Sequence, residues 1–375
     1  MTHTPAITGT GVFTPETSIS NAELVEAFNA YADRFNAENK DQIEGGEIQA
    51  KEHSSEDFIF KASGIERRYV MDKSGVLDPE VMHPLLRQRG DDEPGIMSEM
   101  AVDAAKKALA QAGKGPDDVD AVICAASNLE RAYPAIAIEI QELLGIKGFA
   151  FDMNVACSSA TFGIQAAADM VRSGSIRSAL VVNPEICSAH LEWRDRDCHF
   201  IFGDVATAVL IERLEDAKGS HFEIRSTRCE TVFSNNIRNN NGFLRRSRPD
   251  GMKDRRDMQF MQNGRKVFKE VLPMVSQHIA DHIAEEGVEN TQLRRLWLHQ
   301  ANKTMNDFIG KKVLGRTPEP GEQPNILQDY ANTSSAGSMI AFSKYSDDLG
   351  DGDFGLICSF GAGYSVGSVL VQRHD

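Results

Sequence analysis

No stretch of the 375 residues approaches the roughly 18 consecutive apolar positions of a membrane-spanning helix. The opening MTHTPAITGTGVFTP lacks the basic-then-apolar order of a secretory signal. Cysteine is sparse and scattered: Cys124, Cys157, Cys187, Cys198, Cys229 and Cys358 form no CxxC pair, so neither a zinc knuckle nor a redox dithiol is indicated. Basic residues are in deficit, 40 against 55 acidic, and the net charge of -15 argues against a general nucleic-acid binder. The expectation is a cytoplasmic protein with reduced thiols, no metal site, and neither membrane nor nucleic acid as partner.

What is present suits a large buried core. Hydrophobic residues make up 41% and charged residues 25%, and the length allows two domains or one large duplicated unit. Strand-like runs (Ala6–Gly11, Val119–Ala126, Phe149–Val155, Ser178–Val182, Ala206–Ile211) alternate with helical spacing. The helical stretches are Ser98 to Gly113, with Ser98 as the expected cap, Ala135 to Gly145, and one starting at Cys157 and stopping at Gly174. Residues 73–96, with three prolines, read as a long connection. The later half repeats the plan: a helix over about 264–286, a strand Leu296–Leu298 ending at His299, a helix stopping at Gly315, a loop with Asn332, another helix and two strands. Phe202-Gly203-Asp204 leads into ATAVLIER, and Phe360-Gly361-Ala362-Gly363 leads into GSVLVQR. The pattern predicts an α/β fold built by duplication, with halves 1–214 and 215–375, and active residues at strand C-termini.

Cys157 is the first candidate for chemistry. It falls between an apolar strand and a small-residue helix start, where the helix dipole lowers a thiol pKa and favours thiolate. Cys124 and Cys358 lie inside strand patterns and read as core residues. His299 ends a strand at what reads as the corresponding point of the second half. A lone histidine is usually structural, and the duplication is what raises this one. Asn332, in YANTSSAGS, precedes small residues that permit close helix approach, although such a run is more often a turn or cap. The Phe360–Gly363 turn offers backbone N–H groups suited to a thioester oxyanion.

These elements together resemble the β-ketoacyl-acyl carrier protein synthase III family. The resemblance rests on GIERR at Gly64–Arg68, AFDMNVACSS around Cys157, FGDVATAVL at Phe202–Leu210, NGRKVF at Asn263–Phe268, LHQAN at Leu298–Asn302, NTSSAG at Asn332–Gly337 and FGAGYSVGS at Phe360–Ser368. It implies a thiolase fold, a homodimer and a catalytic triad of Cys157, His299 and Asn332, with no cofactor. Cys157 would take an acyl group from acyl-CoA. His299 and Asn332 would then stabilise the enolate made by decarboxylating malonyl-ACP or malonyl-CoA. Cys157 and Ala362 would supply the oxyanion hole, with Asn302, Gly361 and Gly363 lining the substrate path.

The family's adenine clamp falls on Phe58 and Ala62, departing from tryptophan and arginine, while Arg196 matches a CoA-contacting arginine. Lys303 and Thr304 stand where an arginine often helps dock the carrier, and Ala331 stands where glycine is usual. Tyr133, in the AYP segment, matches a residue that reaches across the dimer. The basic run Arg245, Arg246, Arg248, Lys253, Arg255 and Arg256, with Lys303, is expected to dock acyl carrier protein, although most charge runs are solvated loops. The rivals are a thiolase, non-decarboxylating condensation, acyl transfer and an inert partner subunit. The thiolase would need a second cysteine, and Cys358 has a strand context.

Overall fold

The computed structural model describes residues 3–249 and 256–375. Its centre is one nine-stranded sheet. In order across the sheet the strands are Leu293–Leu298, Phe354–Gly361, Gly363–His374, His221–Ser234, Pro5–Phe13, Asp204–Arg213, Ser178–Ile186, Ala121–Ala125 and Phe149–Met153. Ala121–Ala125 pairs in parallel with both Phe149–Met153 and Ser178–Ile186. Its AVICA sequence is buried throughout, as a parallel strand covered on both faces requires. Two antiparallel pairings then lead to Pro5–Phe13.

The second run repeats this order. Leu293–Leu298 pairs in parallel with Phe354–Gly361, and two antiparallel pairings lead to His221–Ser234. The runs meet only at Ala6 with Glu223 and Ile7 with Phe222. We propose 1–214 and 215–375 as the two repeats on this topology.

The repeat corrects one sequence-based equivalence. Leu293–Leu298, which ends at His299, corresponds by its pairing to Ala121–Ala125 rather than to the strand before Cys157. The helices Ser159–Arg172 and Gly337–Lys344 are the matching pair. Asn332, just ahead of the second, is therefore the positional counterpart of Cys157.

These two helices lie in the middle of the molecule. Ala160, Ile164 and Ala167 of one and Met339 and Phe342 of the other share a single core with Ile123 and Trp297 from the two runs of the sheet. Ile96–Ala112 and Ile136–Leu144 cover one outer face, and Gly264–Glu285 and Lys303–Leu314 the other. Five layers result, helices and sheet alternating. The small residues of the first central helix let it sit close: a Cβ on Gly163 would lie 2.9 Å from Val181 Cγ1.

Three further details differ from expectation. The helix after the long connection begins at Ile96 with Gly95 as its cap, so Ser98 lies inside it and its hydroxyl donates to Glu139. The longest strand, His221–Ser234, carries charged residues along much of its length and shows no simple apolar run. The polar N-terminal segment forms the helix Asn21–Glu38, closed by a capping box between Ser20 and Glu23. It packs in a separate cluster with Phe200, Phe202 and Leu327. Arg68 of the GIERR stretch is wholly buried there, and its Nη2 donates to Asn21 Oδ1 at 2.7 Å.

Candidate active site

Cys157 sits in the turn between Phe149–Met153 and the central helix, which begins at Ser159. Side chains build that turn. Asn154 Oδ1 accepts from the Ala156 N–H at 2.9 Å. Ser159 Oγ accepts from the Val155 N–H at 2.8 Å and donates to the Ala156 carbonyl at 2.7 Å. Ala156 is held at φ 47°, a left-handed conformation that costs a non-glycine residue about 1 kcal/mol or more. Gly361 faces Cys157, and a Cβ there would come within 2.6 Å of Cys157 Cβ.

His299 and Asn332 arrive from separate elements. His299 extends the strand Leu293–Leu298, its N–H donating to the Cys358 carbonyl at 2.7 Å. Its ring lies edge-on to Phe360, with centroids 5.2 Å apart. Asn332 is anchored on the Phe202-Gly203-Asp204 turn: its N–H donates to the Ile201 carbonyl at 2.9 Å, and its carbonyl accepts from the Gly203 N–H at 3.1 Å. A Cβ on Gly203 would strike the Tyr330 carbonyl at 2.5 Å, which is why that turn has glycine. Asn332 Oδ1 accepts from the Ser334 N–H at 2.9 Å, and the Ser334 hydroxyl reaches Cys157 Sγ at 3.4 Å. Ser334 escaped the sequence reading, although the run of small hydroxyl residues after Asn332 was its signal.

Burial sets the electrostatics. The Cys157 thiol is pushed up to about 11, first by loss of solvent, with the Ser334 and Ala362 hydrogen bonds pulling the other way and the Glu185 charge adding to the rise. This corrects the helix-dipole expectation: two residues ahead of the first helical turn, the thiol is protonated at rest. His299 is 2% exposed and burial lowers its imidazole to about 4, a Ser334 backbone hydrogen bond acting in opposition. It is therefore neutral at pH 7, and its Nδ1 meets no hydrogen-bond partner among the described residues.

Cys157 borders two cavities. The smaller, about 250 Å3, is lined by Cys157, His299, Asn332, Asn302, Phe268 and Gly361. The larger, about 870 Å3, is lined by Cys157, Ser334, Ala362, Leu129, Phe202 and Phe260, among others. Thus Cys157, His299 and Asn332 come together, with Gly361 on the smaller cavity and Ala362 on the larger. Gly363 lies next in the turn, exposed, at φ 135°. Asn302 caps the helix Lys303–Leu314, accepting from the Thr304 N–H at 2.9 Å, and donates to the Ala62 carbonyl at 2.6 Å.

Other sequence-based assignments change. Arg196 stacks on Phe58, its Cζ 4.0 Å from the ring centroid, so an aromatic–guanidinium pair is present despite Ala62. Tyr133 is 84% exposed and lines neither cavity within the single chain. Arg245 is 5% exposed and paired with Asp257, so it cannot meet a carrier. Arg245 and Arg246 line the larger cavity instead of the mouth beside Asn302. Arg248 is exposed, 3.7 Å from Asp257, and Arg256 pairs with Asp195 at 2.9 Å. Lys303 is exposed and pairs with Asp307 at 2.6 Å, one helical turn along. Lys253 and Arg255 lie outside the described residues.

Comparison with known proteins agrees with this geometry. Residues 151–230 match the family model for 3-oxoacyl-[acyl-carrier-protein] synthase III, and residues 283–373 match its C-terminal model. The chain is 54% identical to a β-ketodecanoyl-[acyl-carrier-protein] synthase of Pseudomonas aeruginosa, over 93% of this chain and 100% of that one. It is 35% identical to a β-ketoacyl-[acyl-carrier-protein] synthase III of Acidiphilium cryptum, over 73% and 83% of the two chains. A crystal structure of 3-oxoacyl-[acyl-carrier-protein] synthase III from Aquifex aeolicus superposes with a TM-score of 0.77 at 23% identity, covering 98% of this chain and 99% of that one. The fold is thus the thiolase fold, and the chain belongs to the β-ketoacyl-acyl carrier protein synthase III family of condensing acyltransferases.

Proposed function

We propose that this enzyme condenses a medium-chain acyl-CoA with malonyl-ACP and releases a ten-carbon β-ketoacyl product. The relative at 54% identity is named for a β-ketodecanoyl product. Two of those carbons would come from malonyl after decarboxylation, leaving an eight-carbon primer. The observation that carries the reading is the place of Cys157, shared by a large cavity and by a smaller one holding His299 and Asn332.

Cys157 Sγ attacks the acyl-CoA carbonyl, the CoA sulfur leaves with the thiol proton, and the acyl group lodges in the larger cavity. The N–H groups of Cys157 and Ala362 take the oxyanion. The extender thioester then enters the smaller cavity. His299, neutral because buried, and the Asn332 amide donate to its carbonyl, so that loss of carbon dioxide leaves a stabilised enolate. The enolate carbon attacks the acyl-cysteine carbonyl and expels Cys157 as its thiolate, which regains a proton from solvent to restore the resting thiol. Decarboxylation itself makes the carbanion, so no resident cofactor is called for.

The carrier is proposed to approach the smaller cavity's mouth, where Lys303 stands beside Asn302 and the exposed Arg265, Lys266 and Lys269 flank Phe268. Against a net charge of -15, such a local patch steers an acidic partner. Charge reversal at Lys266 and Lys269 should raise KM for malonyl-ACP more at low salt than at high; equal effects would exclude steering.

We also propose a homodimer in the cytoplasm, where both thioesters are at hand. Phe149–Met153 ends the sheet with one edge unpaired among the described residues, and Phe149 is 45% exposed. A second copy there would bring its Tyr133 towards the primer cavity. Sedimentation of Phe149→Lys should show monomers, and an intact dimer would remove that edge from consideration. The primer is tested by intact-protein mass spectrometry after incubation with acyl-CoAs of graded length. The octanoyl adduct should form fastest and be absent from Cys157→Ala; acetyl loading alone would refute the medium-chain reading.

A further inference from the structure

Glu185 sits near the end of the strand Ser178–Ile186 with 1% of its surface exposed, and the mechanism above gives it no task. A carboxylate so deep is costly unless hydrogen bonds satisfy it. Four donors do so. Oε1 accepts from the Ser127 N–H at 2.9 Å and the Ser335 N–H at 3.3 Å. Oε2 accepts from the Ser127 hydroxyl at 2.5 Å, and the Ser335 hydroxyl donates to Oε1. No cation pairs with it among the described residues.

Both serines lead to the nucleophile. The Ser127 carbonyl accepts from Asn154 Nδ2 at 2.9 Å, and Asn154 in turn holds the N–H of Ala156, the residue before Cys157, which stands at φ 47°. Ser335 follows Ser334, which stands at φ 51°, touches Cys157 Sγ with its hydroxyl and binds Asn332 Oδ1 through its N–H. One carboxylate thus anchors two strained turns, one that carries the sulfur and one that touches it. Such conformations persist only where their surroundings over-determine them.

We propose that Glu185 is a positioning residue of the condensation: it fixes both turns around Cys157, and its charge governs how readily the thiol ionises. The proposal rests on Cys157 being the nucleophile. The ionisable groups that interact with Glu185 are Cys157, Cys124 of the neighbouring strand, and Cys187, whose Sγ lies 3.9 Å from Oε2 and also interacts with buried Asp204. All become negative when they ionise, so none offsets its charge. A proton on Glu185 therefore favours the Cys157 thiolate, and a thiolate favours that proton. Burial raises the carboxyl to about 7, which brings this exchange to neutral pH.

The test is the rate of iodoacetamide alkylation at Cys157, read by peptide mass spectrometry from pH 5 to 10. Wild type, Glu185→Gln and Glu185→Asp are compared, with kcat measured alongside. Removing the charge in Glu185→Gln should speed alkylation at pH 8 about fivefold or more and abolish an inflection near neutrality. At the same time kcat should fall, because the amide N–H groups meet the serine donors. Glu185→Asp should restore the inflection and part of kcat. If Glu185→Gln does not fold, Ser335→Ala serves: with one donor fewer the inflection should move to higher pH. An alkylation profile identical in wild type and a folded variant overturns the proposal. The nucleophile reading fails separately, if wild type alkylated at Cys157 still forms an acyl-enzyme.

Discussion

Ala331 stands at φ 56° and ψ -158°, a region that glycine occupies freely and other residues enter at a cost of about 1–3 kcal/mol. It is fully buried and immediately precedes Asn332, so the strain is held where the amide must be aimed. Replacing it with glycine removes that strain, at the expense of a buried methyl worth about 0.8 kcal/mol and of a looser unfolded chain, about 0.4–1 kcal/mol. Ala331→Gly should therefore leave the unfolding free energy from urea titration within about 1 kcal/mol of wild type or raise it, unlike an ordinary buried alanine in a helix. A larger loss would mean that the backbone there is not strained. At this scale the meeting of Cys157, His299 and Asn332 in one site was legible, because each closes a strand or opens a helix within a recognisable motif. The state of the thiol was not. The helix start is written in the sequence, whereas the solvent loss that raises the thiol comes from elements far along the chain, such as the turn that sets Gly361 against Cys157. Glu185 left a fainter trace, as the one acidic residue in the otherwise uncharged strand SALVVNPEI.

Elements carry the site through the central helix. Ser159–Arg172 packs its Gly163 against Val181 and Ala125, where an added Cβ would lie 2.9 and 3.0 Å from their side-chain atoms. Alanine is the better helix former by about 1 kcal/mol, so a solvent-exposed glycine would gain from the change. Here overpacking should prevail, and Gly163→Ala should lower stability by about 1–3 kcal/mol in denaturant unfolding and slow acylation of Cys157. Unchanged stability would show that the helix can shift. Most elements were legible from periodicity, since apolar strands and glycine stops such as Gly145 and Gly315 mark themselves. His221–Ser234 was not, because an antiparallel strand with so many charged side chains, partly buried along much of its length, presents no apolar run. The duplication was legible as a repeat but misaligned, since strand pairing, not sequence order, sets Asn332 opposite Cys157.

Across the whole molecule, buried titrating groups set the response to pH. His190, His282 and His299 are lowered to about 4 and His199 to about 3, all chiefly by burial, and His278 is lowered too. A histidine neutral in the fold binds protons more readily when unfolded, so its contribution is lost as pH falls from about 6.5 towards those lowered values. Glu185 and Asp204, raised by burial to about 7 and about 6, act oppositely: the fold holds their protons, and stability drops as pH rises from the usual carboxylate range through those values. Five histidines outweigh two carboxyls, so Tm should fall steadily from pH 6.5 to 4.5 by thermal scanning; a flat or rising Tm would contradict the buried, neutral state of these rings. The central claim is the division of labour between the two cavities that meet at Cys157. Its most direct measurement pairs acyl-enzyme formation with carbon dioxide release from malonyl-ACP in His299→Ala and Asn332→Ala. Both variants should still be acylated at Cys157 and should lose decarboxylation by about a hundredfold or more. Decarboxylation at the wild-type rate in both variants would contradict the account.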